Sequence, residues 1–355
     1  MTRILLTGAG GSAAYNFYDA LRLASTDDYV VGTDMKPYHL ELIDVQKRYL
    51  VPGVNEPDKY VDAMNRIIAK EKLEFLHPQP DVEVAFLARN RDKLHAKTFL
   101  PDADAIELCH DKMAFNQRLT ARGVAVPESR HIANQQDLKD ALADLLKVQP
   151  KVWLRATRGA GSKASLPINS FYQGDAWIDY WRTFRGIDYG DFMASEFLPG
   201  HEFAWQSLWC NGELITAQAR ERIEYIFGSL VPSGQTSSPS VAKTVNRDDI
   251  NEVGQTAVRA VSDTPHGVYC VDMKEDGSGV PKVTEINIGR FFTTSNFFAH
   301  AGLNMSAMYI ELGMTGKLAQ KPKQLNPLPD DLYWVRMIDM GFKLVKDGQW
   351  NSQKI

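Results

Sequence analysis

The stretch that most limits what this chain can fold into is RILLTGAGGSAAYNFYDALRLA, residues 3–24. Residues 3–7 are a short apolar run that predicts a strand. Glycines then lead into a helical pattern in which Ala14, Phe17, Leu21 and Ala24 recur at helical spacing. YVVGTD predicts a second strand ending at Asp34, DKYVDAMNRIIAKEK a helix, and LEFLHP another strand. Strand and helix alternating in this order predict a doubly wound parallel sheet.

The turn after the first strand has two readings. Gly8-Ala9-Gly10-Gly11-Ser12-Ala13 satisfies the G-x-G-x-x-G/A dinucleotide fingerprint, and Asp34 lies where a ribose-binding acid would sit. An NAD(P)-binding oxidoreductase would use Gly8, Gly10, Ala13 and Asp34. The plainer reading is that the glycines permit a tight strand-to-helix turn. Composition removes other classes. At 355 residues the chain is too long for one ordinary core, so roughly two or three domains are expected. A net charge of −4 argues against a general nucleic-acid or anionic-membrane binder. No apolar run is long enough for a membrane span, and the N-terminal residues lack a secretory pattern. Cys109, Cys210 and Cys270 form no CxxC, and the histidines form no metal-ligand spacing. A reducing cytoplasm is the expected setting.

Further along, HPQPDVEV (77–84) is a loop entering a helix. Asp81 and Glu83 are read chiefly as acids that complement the helix dipole, and secondarily as a substrate-contacting loop at a strand end. Asp111 caps a helix carrying Met113, Phe115 and Leu119, and Gly123 ends it. Lys112, at the start of that helix, would ordinarily be a solvated lysine. KVWLRATRGAGSKASLPI (151–168) is a strand, a glycine-rich loop and a second strand, with Arg155 and Trp153 on one face. Its small residues can let backbone N–H groups approach phosphate, or the segment is an ordinary hairpin. In SEFLPGHEF, a short strand, a Pro-Gly turn and Glu202 suit an adenosine site. Backbone groups at 196–198 can read the adenine edge, and the Glu202 carboxylate can accept from ribose hydroxyls. Asn211-Gly212 predicts a hairpin. VTEINIGRF (283–291) places Glu285 and Asn287 on one face of a strand and Arg290 just beyond. Polar groups on a half-buried strand need a partner, a metal or water.

Taken in order, these segments resemble the ATP-grasp superfamily, specifically its carbamoyl-phosphate-synthase-like branch of carboxylate–amine ligases. The likeness covers nearly the whole chain: LLTGAGGSAAYNF, the helix from Asp111 to GVAVP, LRATRGAGS, SEFLPGHEF, GVYCVDMKEDGSG and VTEINIGR. It implies an α/β and α+β chain, with a Rossmann-like pre-ATP-grasp domain (1–105). A linking helix and small subdomain with the glycine loop (106–190) would follow. The large subdomain with the metal strands (191–320) and a C-terminal strand packing on the core (321–355) would complete it. It implies that Lys112 and Arg155 hold the α- and β-phosphates of ATP and that Gly159, Gly161 and Ser162 close over them. Glu196 and Leu198 would contact adenine through the backbone, and Glu202 the ribose. Asp272, Glu285 and Asn287 would ligate Mg2+, with Mn2+ as the alternative ion. Arg290, with Arg155, would serve the transferring phosphoryl group. The resemblance also lowers the dinucleotide reading, because the N-terminal glycine turn is not used for NAD in this superfamily.

Two positions depart from the pattern. Arg155-Ala156 stands where many relatives have Lys-Pro, keeping a cation. Glu285-Ile286-Asn287-Ile288-Gly289-Arg290 lacks the usual proline and has one residue more, which leaves the place of Arg290 open. On the substrate side, Arg220 and Arg222 can each grip a substrate carboxylate as a fork, or pair with Glu221 or Glu224 at the surface. Phe291, Phe292, Phe297 and Phe298 are expected in the core, Thr293, Thr294 and Ser295 can line a site, and His300 is expected to pack or cap. The tail is read as one strand, YWVRMIDMGFKLV, closed by a KDGQW turn; it would cover the core or form a subunit interface. The expected activity joins a small-molecule carboxylate to an amine through an acyl phosphate, with a homodimer as the candidate assembly. The alternatives are the oxidoreductase and a non-catalytic nucleotide-binding regulator.

Overall fold

The computed structural model describes residues 1–24, 26–159, 164–236 and 238–346, with the Lys343 side chain left aside. Three sheets carry the chain. The first contains β1 (Arg3–Thr7), β2 (Tyr29–Asp34), β3 (Lys47–Leu50) and β4 (Phe75–His77), all parallel in the order β3-β2-β1-β4. Ile4, Leu5 and Leu6 are successive residues and all fully buried, as expected for a parallel strand covered on both faces. The helix Ser12–Arg22 buries Ala14, Phe17 and Leu21; Ala24 lies just past its end. β3 escapes sequence reading because KRYL is a largely exposed edge strand without alternation.

The glycine turn is filled by the protein itself. Gly8 has φ +58, and a Cβ there would lie 2.3 Å from Pro80 Cγ. Asp34 accepts from the Gly10 N–H (3.0 Å) and the Lys36 N–H (3.0 Å), so each carboxylate oxygen is bound to local backbone. This corrects the dinucleotide alternative. Pro80 sits on the turn, and Asp34 staples the strand end rather than waiting for a ribose. Gly8, Gly10, Ala13 and Asp34 make a structural turn.

The second sheet is antiparallel: β5 (Ser129–Ile132), β6 (Val152–Ala156), β7 (Leu166–Ile168) and β8 (Phe192–Glu196), in the order β5-β8-β6-β7. It has its own core, including Ile132, Leu138, Leu154, Ile178 and Phe192. The third sheet contains β9 (Glu202–Cys210), β10 (Glu213–Tyr225), β11 (Pro239–Val245), β12 (Gly267–Glu275), β13 (Pro281–Ile288), β14 (Leu332–Met337) and β15 (Gly341–Lys346). Their order is β13-β12-β9-β10-β11-β14-β15. Its core is continuous with that of the parallel sheet: Leu5, Val31 and Leu76 belong to the same cluster as Trp205, Trp209 and Tyr269. The first and third sheets therefore form one packed body, and the second packs separately.

Asn211 and Gly212 (φ +50 and +88) turn β9 into β10, as the sequence predicts. The tail differs from expectation. YWVRMIDMGFKLV is two strands, β14 and β15, turning through Asp339 (φ +62), because a left-handed residue breaks the run. Trp334 of β14 stacks on Phe297 (5.4 Å) and Phe342 (4.1 Å) and ties the hairpin to the core. Beyond Lys346 the KDGQW segment lies outside the described residues. No described helix is long and apolar enough to cross a membrane.

Candidate active site

One cleft draws residues from the second and third sheets and from the segment just past β4, including Asp81, Arg155, Glu196, Glu202, Asp272 and Glu285. Its floor is the β12–β13 pair, where Asp272 stands directly opposite Glu285 and Cys270 opposite Asn287. The register slips between Asp272 and Met273, so Thr284 is the extra residue of a bulge, a common way to re-aim side chains next to a site. Asn287 Nδ2 lies 3.1 Å from Asp272 Oδ2 and 3.5 Å from Glu285 Oε1. Two carboxylates and the Asn287 amide, its nitrogen toward the carboxylates, thus converge as the alternation of VTEINIG and the pairing of the strands predict.

These acids have different surroundings. Burial pushes the Asp272 carboxyl up to about 6; Arg222 opposes this, and Glu285 and Glu202 add to it. Burial acts the same way on Glu285, but Lys112, Arg155, Arg290 and Arg222 outweigh it and hold that carboxyl below its ordinary value. Lys112 is no solvated lysine. Asp111 caps its helix by accepting from the Met113 and Ala114 N–H groups. The ammonium is thereby directed into the cleft, 2.6 Å from the Gly159 carbonyl and 3.9 Å from Glu285. Burial lowers the Lys112 pKa, with Glu285 opposing it. Arg155 of β6 donates to the Thr284 carbonyl (3.1 Å), while its Nε is buried without a partner among the described residues. Gly159 has φ +107, a conformation that favours glycine; Gly161 and Ser162 lie outside the described residues.

At the far end Leu198 is buried against the cleft, and the Glu196 N–H donates to the Glu128 carbonyl (2.8 Å). The Glu196 carboxylate takes both oxygens to Lys282 Nζ (2.9 and 2.7 Å). Glu202, opening β9, accepts from Arg222 (2.9 Å), Gln235 (2.7 Å) and the Tyr225 hydroxyl.

No protein-family profile matches this chain, and no curated protein matches it in sequence. Solved structures match over almost its full length. The biotin carboxylase domain dimer of Hydrogenobacter thermophilus 2-oxoglutarate carboxylase, in complex with MgADP, ADP and bicarbonate, is 15% identical. The match covers 94% of this chain and 74% of that one, with a TM-score of 0.70. N5-carboxyaminoimidazole synthetase from Staphylococcus aureus, complexed with ADP, is 15% identical over 94% of this chain and 81% of its own, at a TM-score of 0.68. L-amino acid ligase from Bacillus licheniformis is 14% identical over 94% and 79%, at 0.64. This chain has the ATP-grasp fold.

Within the ATP-grasp cleft, the extra residue before Arg290 finds its place. Gly289 has φ +75, and a Cβ there would lie 2.7 Å from Val84 Cγ1. The turn keeps Arg290 in the cleft, where its guanidinium grips both oxygens of Asp81 and donates to the Asn287 amide oxygen. Asp81 is a cleft residue that the helix-dipole reading undervalued. The available signal was its position just past β4, at the carboxyl end of a parallel sheet, where ligands of such sheets bind.

The two arginines expected on the substrate side part company. Arg222 lies between Glu202 and Asp272 (2.7 Å to Asp272 Oδ1), not against Glu221 or Glu224. Arg220 is fully buried, donates to the Thr294 hydroxyl and lies 3.8 Å over the Phe292 ring. Its Nε has no partner among the described residues. Phe291, Phe292, Phe297 and Phe298 are core, and His300 packs against Asp19 (2.8 Å) as a paired histidine.

Proposed function

We propose that this protein is an Mg2+/ATP-dependent ligase that activates a small-molecule carboxylate as an acyl phosphate and passes the acyl group to an amine, releasing ADP and phosphate. The observation that carries this is the convergence of Asp272, Glu285 and Asn287 opposite Lys112 and Arg155 in one cleft of an ATP-grasp fold. Solved structures of this fold hold ADP, MgADP or ATP.

The donor set fits magnesium. Mg2+ prefers hard oxygen ligands, takes few of them from protein and leaves the rest to phosphate and water. Among the described residues no cage of three or more His, Cys, Asp or Glu exists; two carboxylates stand there instead, beside an amide whose oxygen accepts from Arg290. Asp272, Glu285 and Asn287 would hold the ion, which when bound supplies charge neutralisation at the phosphates. Lys112 and Arg155 would bind phosphate oxygens, and the unpartnered Arg155 Nε is a donor in need of an acceptor. Gly159 would belong to the loop over the phosphates, Glu196 and Leu198 would border adenine, and Glu202 would face the ribose. Arg290, fixed by Asp81, would steady the oxygens of the transferring phosphoryl group.

The chemistry then balances simply. A carboxylate oxygen attacks the γ-phosphorus of ATP and ADP leaves. The amine attacks the acyl carbon, the C–O bond to phosphate breaks, and the amine surrenders a proton. The chain's contribution is positioning and electrostatic stabilisation, as in other phosphoryl transfers. Carboxylate and amine pools should stimulate ADP release from Mg-ATP. Glu285→Gln should lower that release by at least about 100-fold with the fold intact by circular dichroism. Tight NADH binding without ATP binding would sink the ligase, whereas ATP binding that no pool converts to turnover would favour a regulator. A cytoplasmic homodimer goes with this reading, and light scattering tests the dimer.

A further inference from the structure

Nearly every cation in the cleft has an assigned partner. Arg222 faces Glu202 and Asp272, Arg290 faces Asp81, Lys274 approaches Glu202 (3.9 Å), and Lys112 approaches Glu285. Arg155 lies in the field of Glu285 beside the glycine loop and is used by the phosphates in the ligase reading. Arg220 remains. It is 1% exposed, makes no ion pair with a described acid, and has Asp272 only at longer range, with Arg222 working against it. Burying a guanidinium without an anion is expensive, and such a group is normally compensated.

Its geometry says what would compensate it. The Phe292 ring covers one face of the guanidinium, so binding takes place in its plane. Nη1 is held by the Thr294 hydroxyl, and Nε points to no acceptor. The Nε–Nη2 edge is therefore the side left for a ligand, and that edge matches the two oxygens of a carboxylate. Arg220 lines the same cleft as Asp272 and Glu285, and the lining of that cleft also includes Gln235, Thr236 and Thr293, polar and uncharged.

We propose that Arg220 is the carboxylate anchor of the substrate pocket, and that the ligand is a short amino or hydroxy acid held by its carboxylate on the Nε–Nη2 edge. What becomes of the acid rests on the ligase reading; its binding does not. Burial and then Arg222 push the Arg220 guanidinium down to about 9; Asp272 and Cys270 oppose this from beyond ion-pair range, and Arg336 of β14 adds the smallest repulsion. An anion on this edge offsets the repulsion from both arginines.

The test separates binding from turnover. Wild-type protein, Arg220→Met and Arg220→Lys are titrated calorimetrically with the proteinogenic amino acids and with lactate, malate and glycolate. Each is also titrated with a fluorescent ATP analogue, and ADP release is followed with hydroxylamine as the nucleophile. At least one acid should bind wild type while its amide does not. Arg220→Met should weaken that acid by about 30-fold or more, with Arg220→Lys intermediate and the ATP analogue bound within about threefold of wild type. The proposal is overturned if no acid binds wild type, if Arg220→Met binds the acid as wild type does, or if it loses the ATP analogue instead. Acid binding that never yields ADP leaves the anchor standing and removes the ligase.

Discussion

Arg220 and Arg222 stand two residues apart on β10, pointing to the same side of the sheet, and solve burial in opposite ways. Arg222 brings its acids with it: Glu202 and Asp272 lie at 2.9 and 2.7 Å. Arg220 has an aromatic face and a hydroxyl but no acid. His77, fully buried in the parallel-sheet core, shows a third solution. Its Nε2 meets Gln79 (3.0 Å), its Nδ1 has no partner among the described residues, and burial pushes its pKa down to about 4. An imidazole can meet burial by giving up its proton; a guanidinium cannot, so it must find an anion. The difference suggests that an unmatched buried arginine marks a place where the missing anion arrives as a ligand.

The largest effect should come from breaking the matched arginine. Arg222→Met leaves Glu202 and Asp272 buried without their counter-ion, a change expected to cost about 3–5 kcal/mol. Urea unfolding should shift to markedly lower denaturant. If Arg222→Met unfolds as wild type does, the pairing contributes little and the contrast with Arg220 loses its meaning.

The neutral histidine gives the next largest effect, and it is readable in pH. The folded protein declines a proton that the unfolded chain accepts between the ordinary histidine pKa of 6.5 and the folded value of about 4. Stability is therefore complete above about pH 6.5 and drains as pH falls toward 4, by up to about 3 kcal/mol from this group. His77→Gln should flatten that part of the acid slope while lowering stability at neutral pH through lost stacking on Phe17. An unchanged acid slope in His77→Gln would show that the ring is protonated in the folded protein.

Much of this was legible in the sequence. Alternation placed Glu285 beside Asn287, and two adjacent strands brought Asp272 opposite Glu285, because β-pairing turns a period of two into a shared face. The glycine turn and the Asn-Gly hairpin were legible because their backbone needs are local. What failed was non-local. Asp81 meets Arg290 across 209 positions of sequence, and no local pattern announces that pair. Glu221 looked like a partner for the flanking arginines, but alternation sends it to the opposite side, where it meets His201 and Lys243. The empty edge of Arg220 was beyond sequence altogether, since an absent partner is visible only once every neighbour has been placed.

The smallest effect is expected at Arg220, and its sign is the informative part. Arg220→Met removes a buried cation that no described acid pairs with and that Asp272 offsets only from a distance, which favours the folded state. It also removes the contact with Phe292 and the hydrogen bond to Thr294, each about 1 kcal/mol in the other direction. The balance should lie between no change and a gain of about 1–2 kcal/mol, the reverse of Arg222→Met on the same strand. A loss above about 2 kcal/mol would mean that the guanidinium is a structural brace for the Phe292–Thr294 turn rather than a receptor for an anion. The two possibilities also part when ligand is added. A carboxylate that occupies the anchor should raise the melting temperature of wild type and leave that of Arg220→Met unmoved, because only a folded protein with the guanidinium in place has anything to gain from binding it.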